Sequence, residues 1–424
     1  MDTTLVQARE LTARAPQFFC YALLMKRVLI FALTYHPFIG GAEVAIKEIT
    51  DRIDPEEYSF DMITLRFDRN LPAVETFGNV TVHRIGFSVP GAKISDRAMP
   101  LRCKIAKILF PCTSFFRALS LHRFNHYDVI WAMMANQAGF GALFFKYTHP
   151  RIPYLLELQD GRAFAEMKTR QPVLRFLWGL YRKIYLRADM IKTISQYIAK
   201  EVRAIGYEKD IEVIPNAVDV ARFSADTPYQ KLVELQKRFG KKNGEIFLFT
   251  ASRLVLSRGV EDMIQALVFL PPHVRLVVAG EGEDREKLEH IARGLDVSER
   301  VIFVGHVEHT DLPAYLHASD IFVRPSLIEG LGNAFLEAMA AGIPIIGTPV
   351  GGIPDFLTDG ETGIFCAVQN PRSVADAVLR YLHDPTLVSR VTENARRLVA
   401  QTYDWNKIAR DMQERVFEPL VRRG

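Results

Sequence analysis

The segment from residue 321 to residue 357 alternates short apolar runs with glycine-marked loops and helix-forming stretches, and it constrains the fold more than any other part of the chain. Residues 321–323 predict a buried strand, and residues 333–341 predict a helix that stops at Gly342. Residues 344–346 predict the next strand. Strand, loop, helix and strand in this order are typical of a parallel sheet with crossover helices, in which ligands bind at the carboxyl ends of strands.

Two carboxylates stand eight positions apart in this segment, Glu329 in the glycine-marked loop and Glu337 inside the helix that follows. Glycine lets backbone N–H groups come close to a ligand, and the first N–H groups of a helix attract an anion. A carboxylate further along the helix suits the hydroxyls of a sugar. The segment therefore predicts a ligand with phosphate in the middle and a sugar on either side, which describes a nucleotide sugar.

The same alternation runs through both halves of the chain. Residues 28–33 predict a first strand, Gly40 and Gly41 mark the loop after it, and a helix follows. A polar stretch at residues 226–245 separates the halves, and residues 246–250 open the second half. We therefore expect an α/β protein with two sheets that face one another across a cleft. Further strand candidates are residues 60–64, 80–83, 128–131, 154–157, 190–193, 274–279 and 301–304.

Length and composition bound the class of protein. A chain of 424 residues is too long for one ordinary domain, so two domains are expected. The four cysteines show no metal-like spacing, which favours a reduced, cytoplasmic protein. No apolar run approaches the ~20 residues that a membrane-spanning helix needs. Residues 25–31 resemble a natural start that leads into the first strand, so residues 1–24 are expected to be an N-terminal extension or a loose tail.

Basic side chains are concentrated in the first half of the chain. Residues 1–215 carry 29 lysines and arginines against 21 aspartates and glutamates, whereas the remainder carries 24 against 28. Two acid-free stretches, residues 97–127 and 168–188, interleave bases with apolar and aromatic residues. They suit an anionic membrane surface or, equally, two surface helices with solvated bases. Pro111 is expected to break the first helix. Nucleic acid is not an expected partner, because no recognised binding module accompanies the charge.

Several short motifs follow one another in a fixed order. They are Gly40-Gly41-Ala42-Glu43, Ile214-Pro215-Asn216-Ala217-Val218-Asp219, Ser252-Arg253-Leu254 with Arg258-Gly259, Ala279-Gly280-Glu281-Gly282, Val304-Gly305, and Glu329 to Glu337 with Gly351-Gly352 beyond. This order resembles the retaining glycosyltransferases of the two-domain GT-B fold, in particular family 4, the glycosyl transferases of group 1. The resemblance extends from Met25 to about Leu420, which is nearly the whole chain.

The resemblance implies a division into two Rossmann-like domains. Residues 25–222 are expected to form an N-terminal, acceptor-binding domain, and residues 223–404 a C-terminal domain that binds the nucleotide sugar. Residues 405–424 are expected to form a helix that crosses back to the first domain. Residues 1–24 fall outside the resemblance.

The resemblance and the chemistry of a departing nucleoside diphosphate together imply a catalytic set of Arg253, Arg258 and Glu329. The two arginines are expected to hold the diphosphate, whose growing negative charge fixed cations stabilise in place of a metal. Glu329 is expected to contact the transferred sugar and Glu337 the ribose. No metal and no cofactor are expected. The expected donor-binding residues are Gly40, Gly41, Arg253, Arg258, Glu329, Gly330, Leu331, Gly332, Asn333 and Glu337.

The chain departs from the family pattern at two places. The family usually has lysine where Arg258 stands, and arginine keeps the charge but is planar and bulkier. The family often has histidine in the loop where this chain has Gln159 and Asp160. Glutamine can hydrogen-bond a sugar hydroxyl but cannot exchange a proton near neutral pH. Gln159 and Asp160 are expected to contact the acceptor or the sugar.

The expected reaction is a retaining transfer of a sugar, such as a hexose, from a nucleoside diphosphate sugar to a hydroxyl group. The expected acceptor is a glycan or lipid-linked saccharide of cell-surface polysaccharide, glycolipid or lipopolysaccharide synthesis, at the inner face of the cytoplasmic membrane. Three alternatives stay open: a sugar-nucleotide epimerase, a nucleotide-sugar-binding protein without turnover, and a soluble sucrose- or glycogen-type synthase. Product analysis separates the epimerase, since it needs no acceptor.

Overall fold

The computed structural model describes most of the chain. The described ranges are residues 25–38, 40–91, 99–161 and 178–424. The predicted N-terminal extension, residues 1–24, lies outside the described residues, as do residues 97–98 and 168–177 of the two basic stretches.

The first sheet has eight strands in the order β3-β4-β2-β1-β5-β6-β7-β8. Every neighbouring pair is parallel except β3 with β4. Strands β5, β6 and β7 are buried along their whole length, as expected for a sheet covered on both faces. The strands are β1 (Lys26–Phe31), β2 (Tyr58–Leu65), β3 (Val74–Phe77), β4 (Val80–Ile85), β5 (Val129–Met133), β6 (Tyr154–Leu158), β7 (Met190–Thr193) and β8 (Asp210–Val213).

The second sheet has six parallel strands in the order β11-β10-β9-β12-β13-β14. This is the strand order of a dinucleotide-binding Rossmann domain. The prediction of an α/β protein with two sheets is confirmed, and both sheets are parallel apart from the β3–β4 pair. The strands are β9 (Ile246–Ala251), β10 (Val274–Ala279), β11 (Val301–Gly305), β12 (Ile321–Arg324), β13 (Ile345–Gly347) and β14 (Ile364–Phe365).

Helices connect the strands and cover both sheets. In the described residues the α-helices are α1 (Gly41–Thr50), α2 (Leu101–Asn125), α3 (Gln137–Thr148), α4 (Trp178–Leu186), α5 (Gln196–Ala204), α6 (Val220–Ser224), α7 (Tyr229–Phe239), α8 (Val260–Ala266), α9 (Arg285–Gly294), α10 (Leu312–His317), α11 (Asn333–Ala341), α12 (Pro371–His383), α13 (Pro385–Thr402), α14 (Trp405–Met412) and α15 (Glu418–Val421).

The strand order of the second sheet reverses between β9 and β12, and such a switch point is where open α/β sheets bind their ligands. The segment after β9 carries Arg253 and Arg258, and the segment after β12 carries Glu329. In the first sheet the corresponding switch point lies between β1 and β5, and the segment after β1 carries Gly40 and Gly41. The fold thus gathers most of the predicted donor residues at carboxyl edges of strands.

The C-terminal helices return to the first domain, as the resemblance implies. Trp405, Met412 and Phe417 are buried in one hydrophobic cluster with the first sheet. The ring of Phe417 lies 5.4 Å from the ring of Trp131 on β5, centroid to centroid. Where the chain returns, the backbone N–H of Val218 donates to the carbonyl of Tyr403 over 2.9 Å. The two crossings between the domains therefore lie side by side.

Helix α2 corrects one prediction. The sequence predicts that Pro111 breaks the helix, but α2 continues through it from Leu101 to Asn125. The buried residues of α2 form one stripe on both sides of the proline, and that stripe packs on α3 and the first sheet. Tertiary packing therefore outweighs the missing N–H of a single proline.

None of the helices in the described part of the chain has the length and apolarity that a membrane crossing requires.

Candidate active site

Glu329 is the centre of an ion triad at the carboxyl end of β12. Its Oε2 accepts a hydrogen bond from Nη1 of Arg258 over 2.7 Å and lies 2.9 Å from Nη2 of Arg324. The hydroxyl of Ser326 donates to the same oxygen over 3.4 Å. Within the described residues, Oε1 of Glu329 accepts no hydrogen bond, so it is the oxygen that can accept one from a sugar hydroxyl.

The two arginines of the triad differ in burial. The side chain of Arg324 is 8% exposed and that of Arg258 is 22% exposed. Burial lowers the pKa of the Arg324 guanidinium from its ordinary value, and the neighbouring Glu329 opposes that shift. Arg258 also donates to the carbonyl of Ile328 over 3.2 Å. Arg324 is thus a fixed part of the site, whereas Arg258 has more freedom to meet a ligand.

Arg253 lies on the same edge of the sheet but outside the triad. Its side chain is exposed, and no described residue forms an ion pair or side-chain hydrogen bond with it. The backbone around it is held, because Leu254 donates to the carbonyl of Glu281 in the segment after β10. A cation on a fixed backbone with a free side chain can turn to an arriving anion.

Glu337 lies in α11 and pairs with a histidine that follows β11. Its Oε1 is 2.8 Å from Nε2 of His309, and Nη2 of Arg222 is 2.8 Å from Nδ1 of the same ring. Because Arg222 can only donate, the ring accepts at Nδ1 and donates at Nε2 to the carboxylate. Arg222 and His309 therefore orient Glu337, whose side chain is 12% exposed.

The glycine loop between the two carboxylates is shaped by local packing. Gly332 precedes α11 with φ 101°, a conformation that favours glycine. Leu331 is buried in the core, so it contributes only its backbone to the loop surface. Asn333 begins the helix, and a Cβ atom on Gly41 would lie 3.7 Å from Nδ2 of Asn333. The structure thus brings the Gly40–Gly41 loop of the first domain to the start of α11.

The loop after β6 also contacts the second domain. A Cβ atom on Gly330 would lie 2.6 Å from the carbonyl oxygen of Gln159, so the two backbones touch. The side-chain amide of Gln159 is engaged elsewhere: Nε2 donates to Glu157 over 2.8 Å, and Oε1 accepts from Asn216 over 3.0 Å. Asp160 is half-buried beside it. Gln159 therefore contacts the glycine loop between the two carboxylates through its backbone.

Sequence reasoning missed three parts of this site. Arg324 ends the apolar strand β12, and a base at the end of an apolar run, five positions before Glu329, is the signal that the sequence offers. His309 follows β11 at the same sheet edge as the other ligand-binding segments. Glu157 and Lys192 form a fully buried ion pair over 2.6 Å on adjacent strands, and no local pattern in the sequence indicates that they pair.

Two family models match the chain one after the other. The model described as Glycosyltransferase Family 4 matches residues 39–222, and the model described as Glycosyl transferases group 1 matches residues 233–398. Together they account for most of both domains, with the ion triad and both carboxylates inside the second match.

Relatives with similar sequences and solved structures with a similar fold agree with the two family models. An uncharacterised glycosyltransferase of Methanocaldococcus jannaschii is 26% identical over 88% of this chain and 93% of its own. The GDP-mannose-dependent monoacylated α-(1-6)-phosphatidylinositol monomannoside mannosyltransferase of Corynebacterium glutamicum is 31% identical over 53% of this chain and 61% of its own. The sucrose-phosphate synthase of Thermosynechococcus elongatus superposes with a TM-score of 0.77 at 19% identity, covering 94% of this chain and all of that one. The chain therefore belongs to the group 1 glycosyltransferases and has their GT-B fold.

Proposed function

We propose that this glycosyltransferase moves a sugar, with retention of anomeric configuration, from a nucleoside diphosphate sugar to a hydroxyl of a lipid-linked saccharide. The ion triad of Glu329 with Arg258 and Arg324 is the observation that carries this proposal. It combines an excess of positive charge for the diphosphate with one free carboxylate oxygen for the sugar. Glu337 lies eight residues further on, where it suits the ribose.

Breaking the bond between the anomeric carbon and the phosphate oxygen leaves negative charge on the nucleoside diphosphate. Arg258 and Arg253 lie on the segment after β9, where their guanidinium groups can bind that charge as it develops. Arginine binds phosphate through two parallel N–H groups, so it orients the leaving group as well as stabilising it. We propose that these cations make a metal unnecessary.

Glu329 suits a binding role better than covalent attack on the sugar. Its Oε2 is held by two guanidinium groups and a hydroxyl, which withdraw electron density from the carboxylate. We therefore propose that the acceptor oxygen bonds to the anomeric carbon on the face from which the phosphate leaves. The proton of the acceptor hydroxyl then passes to the departing phosphate oxygen, which balances the exchange.

The acceptor side of the proposal rests on helix α2. Its exposed face combines apolar side chains with bases, and α2 carries no acidic residue. An anionic membrane surface matches both features. The name of the relative from Corynebacterium glutamicum gives a phosphatidylinositol monomannoside, and this supports a lipid-linked acceptor. We propose that the enzyme binds peripherally to the inner face of the cytoplasmic membrane through α2. We call the exposed face of α2 the basic-apolar face.

A donor screen tests the reaction. The protein is incubated with a panel of UDP- and GDP-sugars, with and without lipid-linked acceptors and with and without EDTA, and free nucleotide and products are followed by mass spectrometry. We expect nucleotide release that needs an acceptor and persists in EDTA. Arg253→Ala and Glu337→Ala should each slow release about 10-fold to 100-fold. Arg293→Ala, at the C-terminal end of α9, is the matched control, and its rate of nucleotide release should equal that of the parent protein.

The outcomes separate the alternatives. A changed sugar nucleotide formed without an acceptor would favour the epimerase, and nucleotide binding without any turnover would favour a binding protein. If Arg253→Ala and Glu337→Ala released nucleotide as fast as the parent protein, the assignment of this site would be wrong.

A further inference from the structure

Arg324 is a buried base that the sequence pattern does not mark and to which the proposed reaction assigns no separate role. It is the last residue of β12, and its guanidinium is 2.9 Å from Oε2 of Glu329. Its Nε is buried and has no hydrogen-bond partner within the described residues. Burying a guanidinium this deeply costs free energy, so a carboxylate beside it must compensate much of that cost.

Glu329 has two basic partners where one would neutralise it. Arg258 and Arg324 approach the same oxygen, and Glu329 is 7% exposed. When Arg258 binds the diphosphate, it leaves Glu329. Without Arg324, the buried Glu329 carboxylate would then have no counter-ion, and an unpaired buried charge is strongly unfavourable. With Arg324 in place, Glu329 stays paired while Arg258 moves.

We propose that Arg324 is a positioning residue: it is the permanent counter-ion of Glu329, and it frees Arg258 to exchange the carboxylate for the phosphate of the donor. This rests on the proposed function, because it assigns the moving partner to a nucleoside diphosphate. Before the donor binds, Arg258 is paired with Glu329, and this pair holds its guanidinium near the proposed phosphate position. The difference in burial between the two arginines fits these two roles.

A double-mutant cycle with UDP and GDP as probes tests the exchange, since these nucleotides lack the sugar that Glu329 would touch. In Arg324→Met, Arg258 is the sole counter-ion of Glu329, and we expect the Kd of the nucleotide to rise about tenfold or more. In Glu329→Gln, Arg258 is released, and the nucleotide should bind at least as tightly as to the parent protein. In the double variant R324M/E329Q, affinity should return to within about threefold of the parent value.

A purely structural role for Arg324 predicts a different pattern, in which both substitutions weaken binding and the double variant is the weakest. Additive losses, or an R324M variant with parental affinity, would overturn the proposal. Arg324→Lys keeps the charge and should rescue most of the affinity lost in R324M. If R324M did not fold, E329Q would still decide the matter, because about tenfold weaker binding by E329Q contradicts the release of Arg258. A parent protein that bound neither nucleotide would refute the proposed function instead.

Discussion

Gly161 packs against Glu329 so closely that a Cβ atom on Gly161 would lie 2.4 Å from the carbonyl carbon and oxygen of Glu329. Gly161 follows β6 of the first domain, and Glu329 follows β12 of the second. The clashing atoms are backbone, which cannot rotate away as the end of a side chain can. The two domains thus meet at the loop that carries the central carboxylate of the site.

Gly161→Ala should therefore displace the loop that carries Glu329 and slow catalysis. Misplacing a catalytic group by about 1 Å can cost roughly 100-fold in rate, so we expect kcat to fall about 10-fold to 100-fold. Nucleotide release under donor saturation measures this. Gly179→Ala on α4 is the matched control, because a Cβ atom there meets nothing within 4 Å and should leave the rate unchanged. Parental kcat in G161A would show that the two loops separate freely.

The sequence predicts the elements around this contact well where local signals are strong. The helix predicted at residues 333–341 is α11 with the same bounds, because glycine stands at both ends of it and its interior favours a helix. The strands of the two sheet centres were found because strands buried on both faces are continuous apolar runs.

The elements and contacts that the sequence does not reveal depend on long-range packing. Strand β3 is an edge strand with no buried residue, so Val74–Phe77 contains no apolar run. Helix α2 continues through Pro111 because both sides of it pack on the same surface. Arg324 and His309 become site residues only when β11 and β12 bring their ends to one edge, which neither local pattern can predict.

Glu337→Gln should weaken nucleotide binding only when the ribose has its hydroxyl groups. With UDP or GDP we expect the Kd to rise about tenfold, since a hydrogen bond to a charged group is worth roughly 1.5–3 kcal/mol. With 2′,3′-dideoxy nucleotides, parent and variant should bind alike. Isothermal titration calorimetry measures both cases, with Glu393→Gln on α13 as the control. An equal loss with both kinds of nucleotide would place Glu337 away from the ribose.

Reversing the charge of the basic-apolar face of α2 should reduce membrane binding without affecting the chemistry. Lys104 and Arg123 are exposed on α2, and each base near an anionic surface contributes about 1 kcal/mol. The double variant K104E/R123E should sediment with anionic vesicles at least tenfold less than the parent protein. Lys237→Glu with Arg293→Glu, in the second domain, makes the same charge change and is the control. If the parent protein bound neutral vesicles as well as anionic ones, or bound no vesicles, membrane docking through this face would be contradicted.

Lys192 and Glu157 form an ion pair that should matter for stability. Both side chains are fully buried, and Glu157 also accepts a hydrogen bond from Nε1 of Trp131 over 3.1 Å. Lys192→Met leaves the carboxylate without its counter-ion, so we expect the free energy of unfolding to fall by about 3–5 kcal/mol in urea titrations. Adding Glu157→Gln should recover part of that loss. Lys231→Met, which breaks an exposed pair, should cost less than about 1 kcal/mol; a similar cost at both sites would refute the argument.

Asp262 on α8 should make the stability of the protein depend on pH. Burial, with a smaller contribution from Glu261, raises the pKa of Asp262 to about 6, and its Oδ2 has no partner within the described residues. In the unfolded chain the carboxyl ionises near its ordinary pKa of about 3.9, so the folded state loses stability as the pH rises from that value through 6. Asp262→Asn lacks this loss. The difference in free energy of unfolding between variant and parent should therefore grow in favour of the variant, by about 2–3 kcal/mol, between about pH 4 and pH 7. Urea titrations across that range measure it, and parallel curves for the two proteins would show that Asp262 ionises in the folded state as it does in water.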